Sequence, residues 1–325
     1  MKNELVWEKI KMASSIGIAG HINPDGDCVG SCLALYNYLQ ENFNEDGKKQ
    51  IDVYLESCPK EFLFLKNATA LKQTCAPLIH YDIFIVLDSG SIDRIEKQAQ
   101  ELFYTAITTV TIDHHISNTS FANVNIVDPK ASSTCEVLYG LLDSKKISKE
   151  VAECIYLGIV HDTGVFKHSC TTEQTMIIAG HLLTLGVNSA KIIDETFYQK
   201  TYVQNQVLGR CLLESILVMN GKIIVSTISK RIQEFYKVGA EDLSGVIDQL
   251  RVTQGVEVAI FLREENVQEY KVSMRSNGVV DVSKIAMFFG GGGHIKAAGC
   301  TMYGSVYDVI NNLTAGIEHQ LGKEV

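Results

Sequence analysis

Four stretches of the sequence concentrate side chains able to bind a divalent metal: His21-Ile-Asn-Pro-Asp25-Gly-Asp27, Asp88, Asp113-His114-His115 and Asp162. In the first, an imidazole and two carboxylates share one short loop. Pro24 restricts that loop and Gly26 permits backbone angles that other residues resist, so His21, Asp25 and Asp27 can be aimed in different directions. Asp27 could instead cap the following helix. An Asp after a strand, such as Asp88, is common in turns and means little alone. Two adjacent histidines, His114 and His115, behind a β-branched strand seldom serve packing. The repetition of such groups at several strand ends points to a shared site. His80, His161, His168, His181 and His319 have no comparable company, and structural or surface roles account for them.

Two imidazoles and four carboxylates suit two divalent cations about 3.5–4 Å apart that share one carboxylate. Mixed nitrogen and oxygen donors favour manganese, with cobalt or magnesium as substitutes. The nine cysteines include no Cys-x-x-Cys pair, so a structural zinc site is not expected, and Cys28 and Cys32 read as small hydrophobes on a helix. A metal pair of this kind lowers the pKa of a bridging water and neutralises phosphoryl oxygens. The chemistry expected is hydrolysis of a phosphate ester.

The elements that must position these groups alternate short apolar runs with helical patterns, the signature of a largely parallel α/β sheet. Strands are expected over 15–20, 51–56, 83–87 and 106–112, and a helix over about 28–40. The metal-binding residues then stand at the carboxyl ends of strands, where open α/β sheets bind ligands. Ser133-x-x-Glu136 reads as a capping box opening a helix to about Leu142. A helix over about 149–160 ends near Asp162, and Thr171-x-x-Gln174 caps one more. Ser133 and Thr134 could reach the same cleft, but capping accounts for Ser133 and neither is assigned a role.

The chain divides into an expected catalytic domain over 1–187, a linker helix over 188–206 and a smaller α+β domain over 207–325, with the active-site cleft between the domains. In the smaller domain, runs over 212–219, 222–228, 256–263 and 269–274 read as strands, and Asn220-Gly221 is a hairpin signal. Gly290 to Gly293 lack side chains, so their N–H groups could cradle a phosphate. Arg275 could bind a phosphate bidentately, with His294 positioning a nucleotide end.

Composition narrows the partners. Of 325 residues, 46% are hydrophobic and 21% charged, with 29 basic against 38 acidic side chains and a net charge of −9. That balance argues against a chain that grips long nucleic acid through a broad basic face; it does not exclude a small anion held by a few local charges or metals, and no membrane partner is expected. The opening MKNELVWEKIKMASS lacks the apolar core of a signal peptide and no run of about 18 apolar residues occurs, so a cytoplasmic protein is expected. A homodimer is permitted but not required.

Together, His21-x-Asn-Pro-Asp25-Gly-Asp27, Asp88, Asp113-His114-His115 and Asp162 resemble the four motifs of the DHH phosphoesterases. Arg275 in Ser-Met-Arg-Ser and Gly290-Gly-Gly-Gly-His294-x-x-Ala-Ala-Gly299 resemble the DHH-associated C-terminal domain. Length and domain order are most similar to the bacterial nanoRNase and pAp phosphatase branch. That branch degrades very short RNA and converts 3′-phosphoadenosine 5′-phosphate (pAp) to AMP. The resemblance implies that His21 and Asp25 hold one metal, that Asp27, His114 and Asp162 hold the other, and that Asp88 bridges both. It implies that Asp113 supports a ligand by hydrogen bonding, that His115 faces the substrate phosphate, and that a bridging hydroxide is the nucleophile. Arg275, Gly291, Gly292, Gly293 and His294 would bind substrate: short oligoribonucleotides, pAp or linear dinucleotides. A specialist for the dinucleotide pApA is the nearest alternative. Manganese pyrophosphatases share only the first half, single-strand DNA exonucleases carry a further domain, and a non-catalytic nucleotide-binding module would not retain every ligand.

Overall fold

The structure, a computed structural model, describes residues 2–44, 46–73 and 79–322. The chain forms two compact units, Met1–Gln199 and Lys200–Val325. In the first, α1 (Lys2–Met12), β1 (Ser15–Ala19), α2 (Gly26–Phe43), β2 (Gln50–Tyr54), β3 (Leu71–Lys72) and β4 (Ile83–Leu87) are followed by α3 (Lys97–Thr105), β5 (Thr108–Asp113) and β6 (Val124–Val127). The helices α4 (Thr134–Tyr139), α5 (Lys149–Asp162), α6 (Glu173–Thr184) and α7 (Ser189–Ile193) complete it. The six strands are all parallel, in the order β3-β2-β1-β4-β5-β6. Strands of such sheets are covered on both faces, which is why β4 is an unbroken apolar run, buried at every residue. Ile16, Ile18, Ile83 and Ile85 pack on one face with residues of α2 and α5. Tyr81, Phe84 and Val86 pack on the other with Ala99, Leu102 and Phe103 of α3.

The expected strands match β1, β2, β4 and β5 to within about two residues, while β3 and β6 carried no expectation. β3 has two residues, and β6 is only half-buried and interrupted by Asn125, so neither shows a clear pattern. Helix α2 begins before Cys28 because its cap is Asp25, not Asp27. One Asp25 carboxylate oxygen accepts the N–H groups of Asp27 and Cys28, each at 3.1 Å. At α4, Ser133 caps as expected, accepting the Glu136 N–H at 3.1 Å. The Glu136 carboxylate does not reciprocate; it accepts the hydroxyls of Ser132 at 2.5 Å and Thr175 at 2.7 Å, and α4 stops at Tyr139. The cap of α6 is Thr172, one residue after the expected Thr171, with Thr175 completing the box.

The stretch 188–206 is not one helix. After α7 comes a π turn (Asp194–Tyr198), then extended Gln199, and α8 (Tyr202–Leu213) starts afresh on a Thr201 cap. The second unit continues with β7 (Ile216–Val218), β8 (Ile223–Ile228), α9 (Lys230–Tyr236), α10 (Val246–Arg251), β9 (Val258–Asn266) and β10 (Glu269–Ser276). It closes with α11 (Val282–Phe288), β11 (Gly292–His294), β12 (Ala297–Tyr303) and α12 (Val306–Leu321). Its mixed sheet runs β11-β12-β10-β9-β8-β7, parallel only at β8–β9. Alternation sorts β9: Ala259 and Phe261 pack with residues of α8 and α10, while Val258, Ile260 and Leu262 pack with α11 and α12. β7 is shorter than expected because residues 212–213 belong to α8. Its hairpin to β8 turns through residues 219–222, with Asn220 and Gly221 inside the loop as expected and Met219, Asn220 and Gly221 at φ of 51°, 53° and 81°.

Candidate active site

The order β3-β2-β1-β4-β5-β6 means that the chain winds outward from β1, returns beside it at β4 and then winds the other way. Between β1 and β4 the connections diverge and leave a crevice at the carboxyl ends. His21 follows β1 there and Asp88 follows β4, with His21 Nε2 at 3.4 Å from Asp88 Oδ2. The His21 Nδ1–H faces the Ile22 carbonyl at 2.8 Å, so Nε2 is the atom turned to Asp25 and Asp88. Asp88 has φ of 55°, a left-handed conformation that Asp tolerates better than most residues. That bend holds its two oxygens toward different partners: Oδ2 toward His21, Oδ1 toward His114 Nε2 at 3.8 Å.

His114 follows β5, and its Nε2 lies 3.1 Å from Asp162 Oδ2 at the end of α5. Asp27, on the first turn of α2, is fully buried and lies beside that pair. Its oxygens accept the N–H groups of Thr134 at 2.6 Å and Cys135 at 2.9 Å, at the start of α4. A side chain at Gly158 of α5 would come within 2.5 Å of Asp27, so that glycine leaves room for the carboxylate. Six predicted residues thus converge: His21, Asp25, Asp27, Asp88, His114 and Asp162.

Asp113, at the end of β5, is buried and accepts His115 Nδ1–H at 2.8 Å and the Asn118 amide at 2.7 Å. The imidazole it orients is therefore that of His115, whose Nε2 is left without this anchor. Three residues outside the predicted set also belong here. Thr134 donates its hydroxyl to Asp88 at 3.0 Å, Asn118 holds Asp113, and the buried Cys28 thiol lies among the ligating atoms of His21 and Asp88. Burial pushes the Cys28 pKa far up, so the thiol stays protonated and packs against Gly20, as expected of a small hydrophobe. His161 sits among Phe62, Phe197 and Thr196, as a structural histidine would.

The electrostatics show what is missing from a charge balance. Burial and the nearby Asp88 and Asp162 carboxylates push Asp27 well above its ordinary pKa. Burial also raises Asp162, against the hydrogen bond from His114. At His114 burial opposes the charged form, but Asp162, Asp27 and Asp88 overcome it and carry the pKa up to about 10. His21 is raised in the same way, with Asp25 and Asp88 overcoming burial. Asp25 falls to about 2 because His21 and the amides of its cap outweigh its burial. Among the described residues no lysine or arginine pairs with Asp27, Asp88 or Asp162. Crowded, buried carboxylates without a fixed cation, interleaved with imidazoles, fit divalent metal ions in donor chemistry and in charge.

In the second unit Arg275 on β10 stands opposite Ala297 on β12, which stands opposite His294 on β11. Opposed residues project to one face, so Arg275 and His294 flank a single alanine methyl, about 10 Å apart by strand spacing. The glycine run is not an open loop. Gly292 and Gly293 form an edge strand with His294, and side chains at Gly291 or Gly293 would strike the backbone of β12. Close packing accounts for those two glycines; Gly292 has open space around its α-carbon.

The DHH family N-terminal domain matches residues 15–159 and the DHHA1 domain matches residues 220–323. Over 311 residues, 92% of this chain and 90% of the other, the sequence is 30% identical to the bifunctional oligoribonuclease and PAP phosphatase NrnA of Thermus thermophilus. The chain belongs to the DHH family. The NrnA of Bacillus subtilis is 28% identical to this DHH protein over 98% of each chain. An exopolyphosphatase-related protein from Bacteroides fragilis has the same fold, with a TM-score of 0.84 at 24% identity over 98% of this chain and 96% of its own. As a DHH protein the chain is a phosphoesterase whose family depends on divalent metals.

Proposed function

We propose that this phosphoesterase hydrolyses very short RNA oligonucleotides to mononucleotides and removes the 3′-phosphate of pAp, using two divalent ions, manganese by preference. The observation that carries the reading is the convergence of three imidazoles and four carboxylates at the β1/β4 crevice, in a chain similar over nearly its whole length to two NrnA proteins. His21 and Asp25 would hold one ion and Asp27, His114 and Asp162 the other. The two oxygens of Asp88, turned to His21 and to His114, suit it to serve both. When bound, the ions would supply charge neutralisation at the phosphoryl oxygens and a lowered water pKa.

The chain's own residues do the rest. Thr134 and the start of α4 fix Asp88 and Asp27, so that neither carboxylate must reorganise during reaction. Asp113, held below its ordinary pKa because the bonds from His115 and Asn118 outweigh its burial, raises the pKa of His115 above the ordinary value and fixes its Nδ1–H. In the imidazolium form the proton at Nε2 can steady the phosphate or pass to the leaving oxygen. Arg275 and His294, astride Ala297, would take a second phosphate or the nucleotide end, with Gly292, which has open space at its α-carbon, letting backbone approach it.

The deciding experiment compares pAp, pApA, a labelled RNA pentamer and pyrophosphate as substrates of chelator-treated protein resupplied with manganese. Turnover of pAp and the RNA, with pyrophosphate untouched, is expected. Turnover of pApA alone would replace this reading by a dinucleotide phosphodiesterase, and pyrophosphate as best substrate would overturn it.

A further inference from the structure

The carboxylates and imidazoles at the β1/β4 crevice suit metal ions and phosphate, and none of the carboxylates offers a flat apolar face to a base. We propose that Phe197 and Tyr198 form a nucleobase-stacking platform beside the phosphoester site, an inference that rests on the phosphoesterase reading above. Both lie on the π turn Asp194–Tyr198, closed by the Gln199 N–H donating to the Asp194 carbonyl at 2.7 Å. Single π turns of this kind recur at functional sites.

The turn is braced against the site. The Thr196 hydroxyl donates to the Ile192 carbonyl at 2.7 Å and also meets His161 Nε2 at 3.0 Å. His161 precedes Asp162, and its ring occupies the space that a side chain at Gly26 would need. Gly26 lies between Asp25 and Asp27. One imidazole therefore joins the π turn to the two segments that carry Asp25, Asp27 and Asp162. Phe62 and Phe197 both meet that imidazole edge to face, at 5.1 Å and 87° and at 5.9 Å and 77°. Phe62 is 3% exposed, but Phe197 remains 40% and Tyr198 59% exposed. The two exposed rings cross at 5.3 Å and 82°.

Scattered exposed aromatics need no explanation, but two in contact, on a turn fixed to a phosphoester site, present a preformed surface to a base. Stacking tolerates any base, because every base has a π face. That tolerance suits an enzyme whose short RNA substrates vary in sequence.

The test uses the full chain and compares pAp and an RNA dinucleotide with ribose 3,5-bisphosphate, which keeps the phosphates of pAp and lacks the base. Tyr198→Ala should lose roughly tenfold in kcat/KM on pAp and the dinucleotide, through KM, with ribose bisphosphate unchanged. Its Tm and manganese affinity should match the wild type, and Tyr198→Trp should restore the loss. Equal loss on all three substrates, or no loss on any, would overturn the platform while leaving the phosphoesterase reading intact. A wild type that hydrolyses none of them would overturn that reading and the platform with it.

Discussion

Asp88 gathers more of the site than any other single side chain, since its oxygens face His21, His114, His115 and the Thr134 hydroxyl. Asp88→Ala should reduce manganese-dependent turnover more than about 100-fold and weaken metal binding, measured by hydrolysis of a phosphodiester dye and by manganese titration. Asp88→Asn keeps a residue tolerant of the left-handed backbone, so its loss isolates the charge from the strain. Asp113 should separate differently. Asp113→Asn removes the charge that fixes His115, and turnover should fall by roughly 100-fold with manganese affinity unchanged; a parallel loss of affinity would instead make Asp113 part of the metal's support. At this scale the sequence was legible wherever a residue's type announced its chemistry, as with His21, Asp25, Asp27 and His114. It placed Thr134 near the cleft without giving it a role and was silent on Asn118, whose hydroxyl and amide are ordinary until the fold carries them to Asp88 and Asp113.

Elements built from a strong repeating pattern were readable, and those set by their neighbours were not. β4 announces itself as five consecutive buried apolar residues, whereas the outer strands β3 and β6 depend on β2 and β5 for their existence. The π turn has no sequence signature, because a shift in hydrogen-bond register changes no side-chain pattern. The glycine run looked like a flexible cradle, yet two of its members are glycine because β12 leaves no room for a side chain. The outer strands also carry a polar anchor. Asp52 on β2 accepts Lys72 of β3 at 2.5 Å, Tyr81 at 2.6 Å and Gln50 at 2.6 Å. Its burial favours the neutral acid, but these partners prevail and hold its pKa below the ordinary 3.8. A depressed folded pKa adds stability that is fully present above the unfolded value and is lost as pH falls through the folded one. Between about pH 5 and pH 2.5 the wild type should therefore lose urea resistance more steeply than Asp52→Asn; parallel slopes would show that the anchor contributes nothing.

Across the whole molecule, the crowding of Asp27, Asp88 and Asp162 predicts that metal-free protein stores repulsion that divalent cations relieve. Saturating manganese should raise the Tm of chelator-treated protein by about 5–10 °C, followed by calorimetry, and calcium at equal concentration should raise it less. No helix among the described residues is long and apolar enough to cross a membrane. The chain divides into units between Gln199 and Lys200, and the sequence pattern changes from alternating strand and helix to closely spaced strands. The strand order of the first unit carries a further consequence, for the timing of synthesis. Its crevice draws on residues as distant as His21 and Asp162, contributed by β1, β4, β5 and α5. A chain emerging from the ribosome presents His21, Asp25 and Asp27 early, but it cannot assemble the pocket until α5 has appeared and docked. Until then these acids and imidazoles belong to separate pieces of chain, with no more hold on a metal than any loop in water. On the proposed two-metal reading, capture of divalent cations is thus a late, sealing event in the birth of this protein, and a chain made without them would be folded but unsealed.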